Sequence, residues 1–106
     1  MKILLDQGTP APLCRELEGH EIFTAFQQNW SKLTNGELLE SAQGAGFDIL
    51  ITTDQNLKYQ QNLKSREIAI VVLLTASWPR IRQHLPAIRK IIDSVITGDY
   101  REIQIP

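Results

Sequence analysis

Cysteine is nearly absent from this chain of 106 residues, and that scarcity excludes one class of small protein. Cys14 is the only cysteine, so no disulfide can form within the chain and a cystine-stapled secreted scaffold is excluded. A lone thiol among helix-forming residues is more typical of packing than of nucleophilic chemistry. The fold must depend on a hydrophobic core, and residues 1–106 are long enough for one core in a single domain.

Long apolar segments are also missing. The longest unbroken run, residues 68–74, is far shorter than the ~20 residues needed to cross a bilayer. Met1 and Lys2 lead directly into a short apolar run, which does not resemble a signal peptide. We therefore expect a cytoplasmic protein with no membrane association.

A large excess of charge of one sign is lacking too, since the net charge is −1, and this excludes a surface coated in basic residues. The charges are nevertheless unevenly placed. Residues 1–50 contain three Lys or Arg and seven Asp or Glu, whereas residues 51–106 contain eight and five. This asymmetry is compatible with an acidic pocket beside a basic rim, although solvated helix faces are the plainer explanation.

Apolar periodicity divides the chain into alternating strands and helices. The predicted strands are residues 3–5, 21–24, 47–51, 68–74 and 100–105. The predicted helices are residues 11–18, residues 34–45 and a longer region from 77 to 98 that Pro86 divides. The run at 68–74 is typical of a central strand buried on both faces. The order predicts a three-layer α/β domain with a mainly parallel sheet flanked by helices.

Two acidic residues directly follow predicted strands, and a third begins a helix. Asp6 and Asp54 should emerge at the same edge of a parallel sheet, and Glu37 should approach that edge from the start of its helix. Clustered carboxylates repel one another unless a cation lies between them, and ligand sets made only of oxygen favour Mg²⁺ or Mn²⁺. Such a centre can activate water and hold a phosphodiester.

The same acids lie in three segments whose pattern is shared with a known family. The segments are Ile3-Leu4-Leu5-Asp6, Asn35-Gly36-Glu37-Leu38-Leu39 and residues 47–57, and the likeness continues through residues 59–63 and 68–73. Together they resemble the PIN-like nucleases, particularly the small bacterial branch treated as toxins of toxin-antitoxin pairs. The resemblance implies a PIN-like domain in which Asp6, Glu37 and Asp54 are catalytic and bind the metal together with Asn56.

Two positions depart from the pattern of that family. Asn56 is neutral where many PIN-like nucleases have an acid, and Gln7 follows Asp6 where relatives often have a second acid. Each departure removes a negative charge from the predicted metal centre. Reduced or lost nuclease activity is therefore among the expected outcomes.

Each acid also has a structural interpretation. Asp6 can stabilise the turn at Gln7 and Gly8, and Asp54 can cap a short helix at residues 55–59. Thr34 and Glu37 form a capping-box pattern, in which the Glu37 side chain returns to the Thr34 backbone. Capping and metal binding can coexist if the two oxygens of a carboxylate have different partners.

Basic residues near the predicted site are candidates for RNA contacts through phosphate groups. They are Lys58, Lys64 and Arg66 after Asp54, and Arg80 and Arg82 in the later helical region. Solubilising surface charge explains them equally well. Tyr59 and Trp78 could stack on unpaired bases, although a Trp before Pro at a helix start is more often a packing anchor.

These observations predict a Mg²⁺- or Mn²⁺-dependent endoribonuclease that cleaves single-stranded RNA as the toxin of a toxin-antitoxin pair. The resemblance implies a small antitoxin protein as partner, and a homodimer. One alternative is a catalytically silent PIN-like module that binds RNA or protein. Another is a phosphoacceptor receiver domain, but such a domain needs an acidic pair after its first strand and a Lys ending its fifth, where this chain has Asp6-Gln7 and Ile103-Gln104.

Overall fold

A central sheet of five parallel strands organises the part of the chain that the computed structural model describes, residues 1–57 and 67–106. The strands are β1 (Lys2–Leu5), β2 (Glu21–Thr24), β3 (Ile49–Thr52), β4 (Ala69–Leu73) and β5 (Tyr100–Ile103). Their order across the sheet is β2-β1-β3-β4-β5. The predicted parallel sheet is confirmed.

This strand order contains a point at which the chain changes direction across the sheet. From β1 the chain moves outward to β2, and it then returns past β1 to form β3 on the other side. Leu5 consequently lies between Thr24 on β2 and Ile51 on β3. In doubly wound sheets, ligands bind at the carboxyl ends of the two strands that flank such a switch point. Those strands are β1 and β3 here.

Helices cover both faces of the sheet, which confirms the predicted three layers. The helical elements of the described residues are a 3-10 helix (Ala11–Arg15), α1 (Asn35–Gly44), α2 (Trp78–Gln83) and α3 (Leu85–Ser94). None of them is long and apolar enough to cross a membrane.

Alternate side chains of each strand supply two separate core clusters. Leu5 and Ile51 pack with residues of the 3-10 helix, α2 and α3, whereas Leu4 and Leu50 pack with residues of α1 on the other face. All five residues of β4 are buried, as predicted for a central strand. The strand signal is therefore an unbroken apolar run rather than an alternating one.

The helix predicted over residues 11–18 is wrong. Only Ala11–Arg15 are helical, and they form a 3-10 helix. The Leu13 and Glu16 N–H groups donate to carbonyls three residues back, as in a 3-10 helix, and this geometry is rarely sustained beyond a few residues. Leu17 still reaches the core from the irregular segment that follows.

The predicted division of the last helical region near Pro86 is confirmed. α2 ends at Gln83, His84 separates the two helices, and Pro86 lies in the first turn of α3, where its missing N–H costs no helical hydrogen bond. α3 ends at Ser94, earlier than predicted, because Val95 adopts an extended conformation. The turn that follows is closed by a hydrogen bond from the Ile96 N–H to Asp99 Oδ2, at 3.0 Å.

Candidate functional site

Asp6 and Thr52 lie side by side at the carboxyl ends of β1 and β3. The backbone N–H of Asp6 donates to the carbonyl of Ile51 at 2.9 Å, which extends the ladder between the two strands by one bond. The Thr52 hydroxyl donates to Asp6 Oδ2 at 2.7 Å. Asp6 is half-buried and Thr52 is fully buried. The two side chains form the floor of a polar site at the switch point.

The same hydroxyl also holds the start of the next loop. The Asp54 backbone N–H donates to Thr52 Oγ1 at 3.0 Å, so one buried oxygen contacts both the Asp6 carboxylate and the Asp54 backbone. Sequence reasoning missed Thr52 as a site residue. The available signal was a hydroxyl at the end of an otherwise apolar strand, where burial requires a hydrogen-bond partner.

The Asp54 carboxylate is held by two further donors. Asn56 donates its backbone N–H to Oδ1 at 2.9 Å, which is the local turn that a short acidic side chain favours. Asn35 donates its side-chain amide to Oδ2 at 2.8 Å. Asn35 is the first residue of α1, so this contact ties the loop after β3 to the start of the helix. Asn35 was also missed as a site residue.

Asp6 stabilises the turn that follows β1. Its Oδ1 accepts the Gln7 backbone N–H at 2.7 Å, and its carbonyl accepts the Thr9 N–H at 2.9 Å. The turn passes close to the loop after β3, because a Cβ on Gly8 would lie only 2.9 Å from Thr53 Oγ1. Glycine at this position lets the two loops approach each other.

Glu37 forms the predicted capping box at the start of α1. Its Oε1 accepts the Thr34 N–H at 2.9 Å, and its own N–H donates to Thr34 Oγ1 at 3.3 Å. The hydrogen bond from the Thr34 backbone lowers the pKa of the Glu37 carboxyl below its usual value. The side chain is exposed. Its contacts in the described part of the chain are therefore with Thr34, and none joins it to Asp6 or Asp54.

The carboxylate oxygens of Asp6 and Asp54 keep capacity for a cation. Each of the four oxygens accepts one hydrogen bond from the protein. A carboxylate has about four lone-pair positions, so about two positions on each carboxylate stay open. Within residues 1–57 and 67–106, no group of three or more His, Cys, Asp or Glu side chains could hold a metal ion. Mg²⁺ commonly binds through only one or two carboxylates and keeps several waters. The donor chemistry of Asp6 and Asp54 fits such a hydrated ion.

The predicted RNA-contact residues fall into two groups. Lys58, Lys64 and Arg66 lie outside the described residues. Arg80 and Arg82 are exposed on α2, the helix that follows the carboxyl end of β4. Asn56, the fourth predicted metal ligand, is exposed beside Asp54.

Trp78 and His20 make contacts that stabilise the fold. Trp78 is half-buried and packs against a core cluster. His20 precedes β2, at the opposite edge of the sheet, and its Nε2 lies 3.0 Å from Asp93 Oδ1. A small cavity beside this pair is lined by Leu17, Glu18, His20, Arg89, Ile92 and Asp93. It is separate from the carboxyl edge that carries Asp6 and Asp54.

Comparisons of the chain with protein-family profiles, with curated proteins and with solved structures found no match. The assignment of the site therefore depends on its own geometry. Its features are two acids at a switch point, a buried hydroxyl between them, and a helix start tied to one of them.

Proposed function

We propose that the protein is a Mg²⁺- or Mn²⁺-dependent ribonuclease that hydrolyses phosphodiester bonds of single-stranded RNA, with Asp6 and Asp54 at its centre. The observation that supports the proposal is the hydrogen-bonded link from Asp6 through Thr52 to Asp54 at the carboxyl ends of β1 and β3. This is where doubly wound sheets bind their ligands. Two fixed carboxylates there provide the hard oxygen ligands that these cations prefer.

Each residue has a distinct role in this proposal. Asp6 and Asp54 hold the cation, and Asn56 and Glu37 act on its water ligands from the adjoining turn and helix start. A bound cation supplies an activated water and stabilises charge on the phosphate. Thr52 and Asn35 keep the two carboxylates oriented, because each donates a hydrogen bond to one of them.

The nucleic acid is held by positive charge around the acidic centre. In this proposal Arg80 and Arg82 on α2 contact phosphate groups, and Lys58, Lys64 and Arg66, which lie outside the described residues, are further phosphate contacts predicted from the sequence. Phosphate contacts of this kind position a strand without reading its sequence. The proposal therefore includes cleavage of unpaired RNA with little sequence preference.

The cellular role in this proposal is that of a toxin with a small antitoxin protein as its partner, and with a homodimer as the assembled form. A cationic side chain of the antitoxin inserted between Asp6 and Asp54 would replace the metal ion electrostatically. Co-purification with the products of adjacent genes tests this role. A chain that is harmless when overexpressed and that recovers no partner would contradict it.

A catalytically silent binding module is the second candidate, and specific contacts favour it. All four oxygens of Asp6 and Asp54 already accept hydrogen bonds from the protein, and Glu37 is engaged by Thr34. Gln7 and Asn56 add no charge. Such a site can be maintained for structure alone.

The receiver-like alternative shares the strand order β2-β1-β3-β4-β5, which receiver domains and other flavodoxin-like sheets adopt. The chain lacks two groups that a receiver domain needs. The residue after Asp6 is Gln7 rather than an acid, and residues 101–106 contain no Lys. Incubation with acetyl phosphate distinguishes it, since a receiver would acquire a phosphoryl group on Asp54.

The decisive test of the proposed activity is cleavage of single-stranded RNA by wild type, Asp54→Asn and Asp48→Asn. Both substitutions remove one negative charge and preserve side-chain size. Asp48 lies just before β3, at the opposite edge of the sheet, where it accepts the Lys2 N–H at 2.8 Å. We expect cleavage with Mg²⁺ or Mn²⁺ by wild type and Asp48→Asn, and none by Asp54→Asn or in EDTA.

Two results would overturn the proposal in different ways. RNA binding without cleavage by any of the three proteins would favour the silent module. Cleavage that survives Asp54→Asn would place the activity elsewhere or in a contaminant. Urea unfolding of the three proteins accompanies the comparison, because Asn keeps the turn contact with Asn56 but replaces the oxygen that accepts the Asn35 amide with a nitrogen donor.

A further inference from the structure

An exposed aromatic side chain follows β2 at the carboxyl edge of the sheet, the edge at which Asp6 follows β1. Phe26 is 76% exposed in the turn that follows β2. A single exposed apolar residue is ordinary on a protein surface, so its meaning depends on where it lies. The Ala25 N–H donates to the Leu5 carbonyl at 2.9 Å, which places the start of this turn directly beside the end of β1. Phe26 follows Ala25 in the sequence, and Asp6 follows Leu5.

The turn that carries Phe26 is fixed by its own hydrogen bonds. The Gln27 side chain accepts the Thr24 N–H at 2.9 Å, and the Gln27 N–H donates to Thr24 Oγ1 at 3.1 Å. The Trp30 N–H donates to the Ala25 carbonyl at 2.8 Å, and Asn29 adopts a positive φ of 63° that closes the turn. The exposed ring is therefore presented by an ordered backbone.

The interior side of the same segment is anchored in the core. Ala25 is buried, and the Trp30 ring packs edge-on against Phe47 with centroids 5.9 Å apart. Ala25 and Trp30 therefore anchor the segment to the core, while Phe26 is exposed to solvent. Because the backbone is fixed, only the side-chain torsions of Phe26 remain to be ordered when a ligand stacks on its ring.

The surroundings of Phe26 favour a nucleobase over a protein surface as the stacking partner. Residues 25–36 contain one basic residue, Lys32, and no acidic residue, so a polyanion is not repelled there. The other exposed large apolar side chains among the described residues, Met1 and Ile96, line a groove with Asp48 at the opposite edge of the sheet. Among the described residues, no other exposed large apolar side chain therefore adjoins Phe26 to form the contiguous patch that a protein partner needs.

We propose that Phe26 stacks on an unpaired nucleobase of a single strand whose backbone crosses the end of β1. β2 and β3 flank β1, so Phe26 lies on one side of Asp6 and the loop carrying Asp54 lies on the other. The stacked base is on the β2 side, one or two nucleotides from the phosphate nearest Asp6. This inference rests on the proposed function and names the residue that selects unpaired over paired strands, because only an unstacked base offers its face.

The test measures binding of a fluorescently labelled single-stranded RNA in EDTA, where no cleavage occurs. The proteins compared are wild type, Phe26→Ala, Phe26→Tyr and the control Ile96→Ala. We expect Phe26→Ala to bind about tenfold more weakly, within the range known for loss of one base-aromatic stack. Phe26→Tyr should retain affinity because its ring still stacks, and Ile96→Ala, which removes an equally exposed side chain at the other edge, should bind like wild type.

A second measurement locates the base. Removal of single bases along the oligonucleotide should identify one abasic position that weakens wild-type binding as much as Phe26→Ala does. Combining that abasic position with Phe26→Ala should cause no further loss, because both changes delete the same contact. In Phe26→Trp, binding of the intact strand should quench fluorescence beyond the change seen in wild type.

The outcomes separate this inference from the proposed function. Wild type that binds and cleaves RNA, with Phe26→Ala unchanged in affinity, would overturn the stacking role and leave the nuclease proposal standing. Absence of RNA binding and of RNA cleavage by wild type with Mg²⁺ or Mn²⁺ would overturn both. Unchanged RNA affinity together with loss of a co-purified protein in Phe26→Ala would overturn stacking in favour of a protein contact.

Discussion

The buried hydroxyl of Thr52 makes two hydrogen bonds across the switch point, one as donor to Asp6 and one as acceptor from the Asp54 backbone. In the proposed nuclease, this group orients the Asp6 carboxylate and the start of the loop that carries Asp54. Its removal would leave a carboxylate oxygen and a backbone N–H without their partner, and unpaired polar groups near a protein interior are costly. Thr52 is therefore a positioning residue in this account.

The role of Thr52 predicts opposite results for two conservative substitutions. Thr52→Val keeps the shape and removes the hydroxyl, so we expect RNA cleavage to fall by at least about tenfold and stability to fall by about 1–3 kcal/mol. Thr52→Ser keeps the hydroxyl and removes a buried methyl group, so it should lose about 1 kcal/mol of stability but retain most activity. Cleavage assays paired with urea unfolding check this. Equal activity of the two variants would contradict the role.

Residue positions were predicted more successfully than residue contacts. Asp6 and Asp54 were identifiable because each follows an apolar run, and the ends of parallel strands share one edge. The contacts of Thr52 and Asn35 were not identifiable, because they depend on which strands are neighbours and on the register that sets Leu5 opposite Ile51. Phe26 was missed because exposure cannot be read from a single aromatic residue in a polar segment.

At the scale of elements, α1 begins as its sequence dictates. The pattern of Thr34 and Glu37 predicted a capping box, and both of its hydrogen bonds are present. The box fixes the start of α1, whose first residue, Asn35, bonds to Asp54. The helix start is thus connected to the candidate site through one side chain.

The capping box predicts a specific pH dependence of stability. The pKa of Glu37 is lower in the folded protein than its ordinary value of 4.5, because the ionised carboxylate accepts the Thr34 N–H. Its contribution is therefore fully present above that ordinary value and is lost as the pH falls through the lowered folded pKa. We expect the stability advantage of wild type over Glu37→Gln to shrink as the pH is lowered from about 6 to about 3.

Urea unfolding at several pH values measures this effect, with Glu40→Gln as the control. Glu40 is exposed one turn later on α1, so its substitution removes the same charge outside the capping box. An advantage over Glu37→Gln that is constant across this pH range would contradict the role of the carboxylate. A decline of the same size for Glu40→Gln would assign the effect to net charge.

Elements with a strong apolar run or a capping signal were predicted closely, whereas the extent of the helix after β1 and the end of α3 were not. β4 and α1 lie within one or two residues of their predicted bounds. The segment after β1 was predicted as a longer helix, but its hydrogen bonds span three residues and it ends at Arg15 as a short 3-10 helix. α3 ended early because a turn closed by Asp99 replaces its last predicted turn.

At the scale of the whole molecule, β3 connects the two core clusters that lie on opposite faces of the sheet. Leu50 and Ile51 are adjacent in the chain but point to opposite faces, and both are buried. The alternation of strands and helices along the chain predicted layers on both faces of the sheet. The order of the strands was not predicted, because periodicity identifies strands without identifying their neighbours.

This coupling predicts that both faces unfold together. Leu50→Ala and Ile51→Ala should each lower the free energy of unfolding by about 2–5 kcal/mol, through lost burial and the cavity left behind. Trp30 packs on the Leu50 face and Trp78 on the Ile51 face. In each of the single-tryptophan proteins made by Trp30→Phe or Trp78→Phe, tryptophan fluorescence and far-UV circular dichroism should therefore report the same transition midpoint. Two separate midpoints in one variant would contradict a single cooperative domain.

The central claim is that Asp6 and Asp54 together hold a divalent cation, and titration calorimetry with Mn²⁺ tests it most directly. Wild type and Asp48→Asn should bind one Mn²⁺ per chain with the same affinity. Asp54→Asn should bind it at least about tenfold more weakly, because one of two anionic ligands is lost. Equal Mn²⁺ affinity in all three proteins, or no binding by wild type, would contradict the claim and assign Asp54 to the turn that it forms with Asn56.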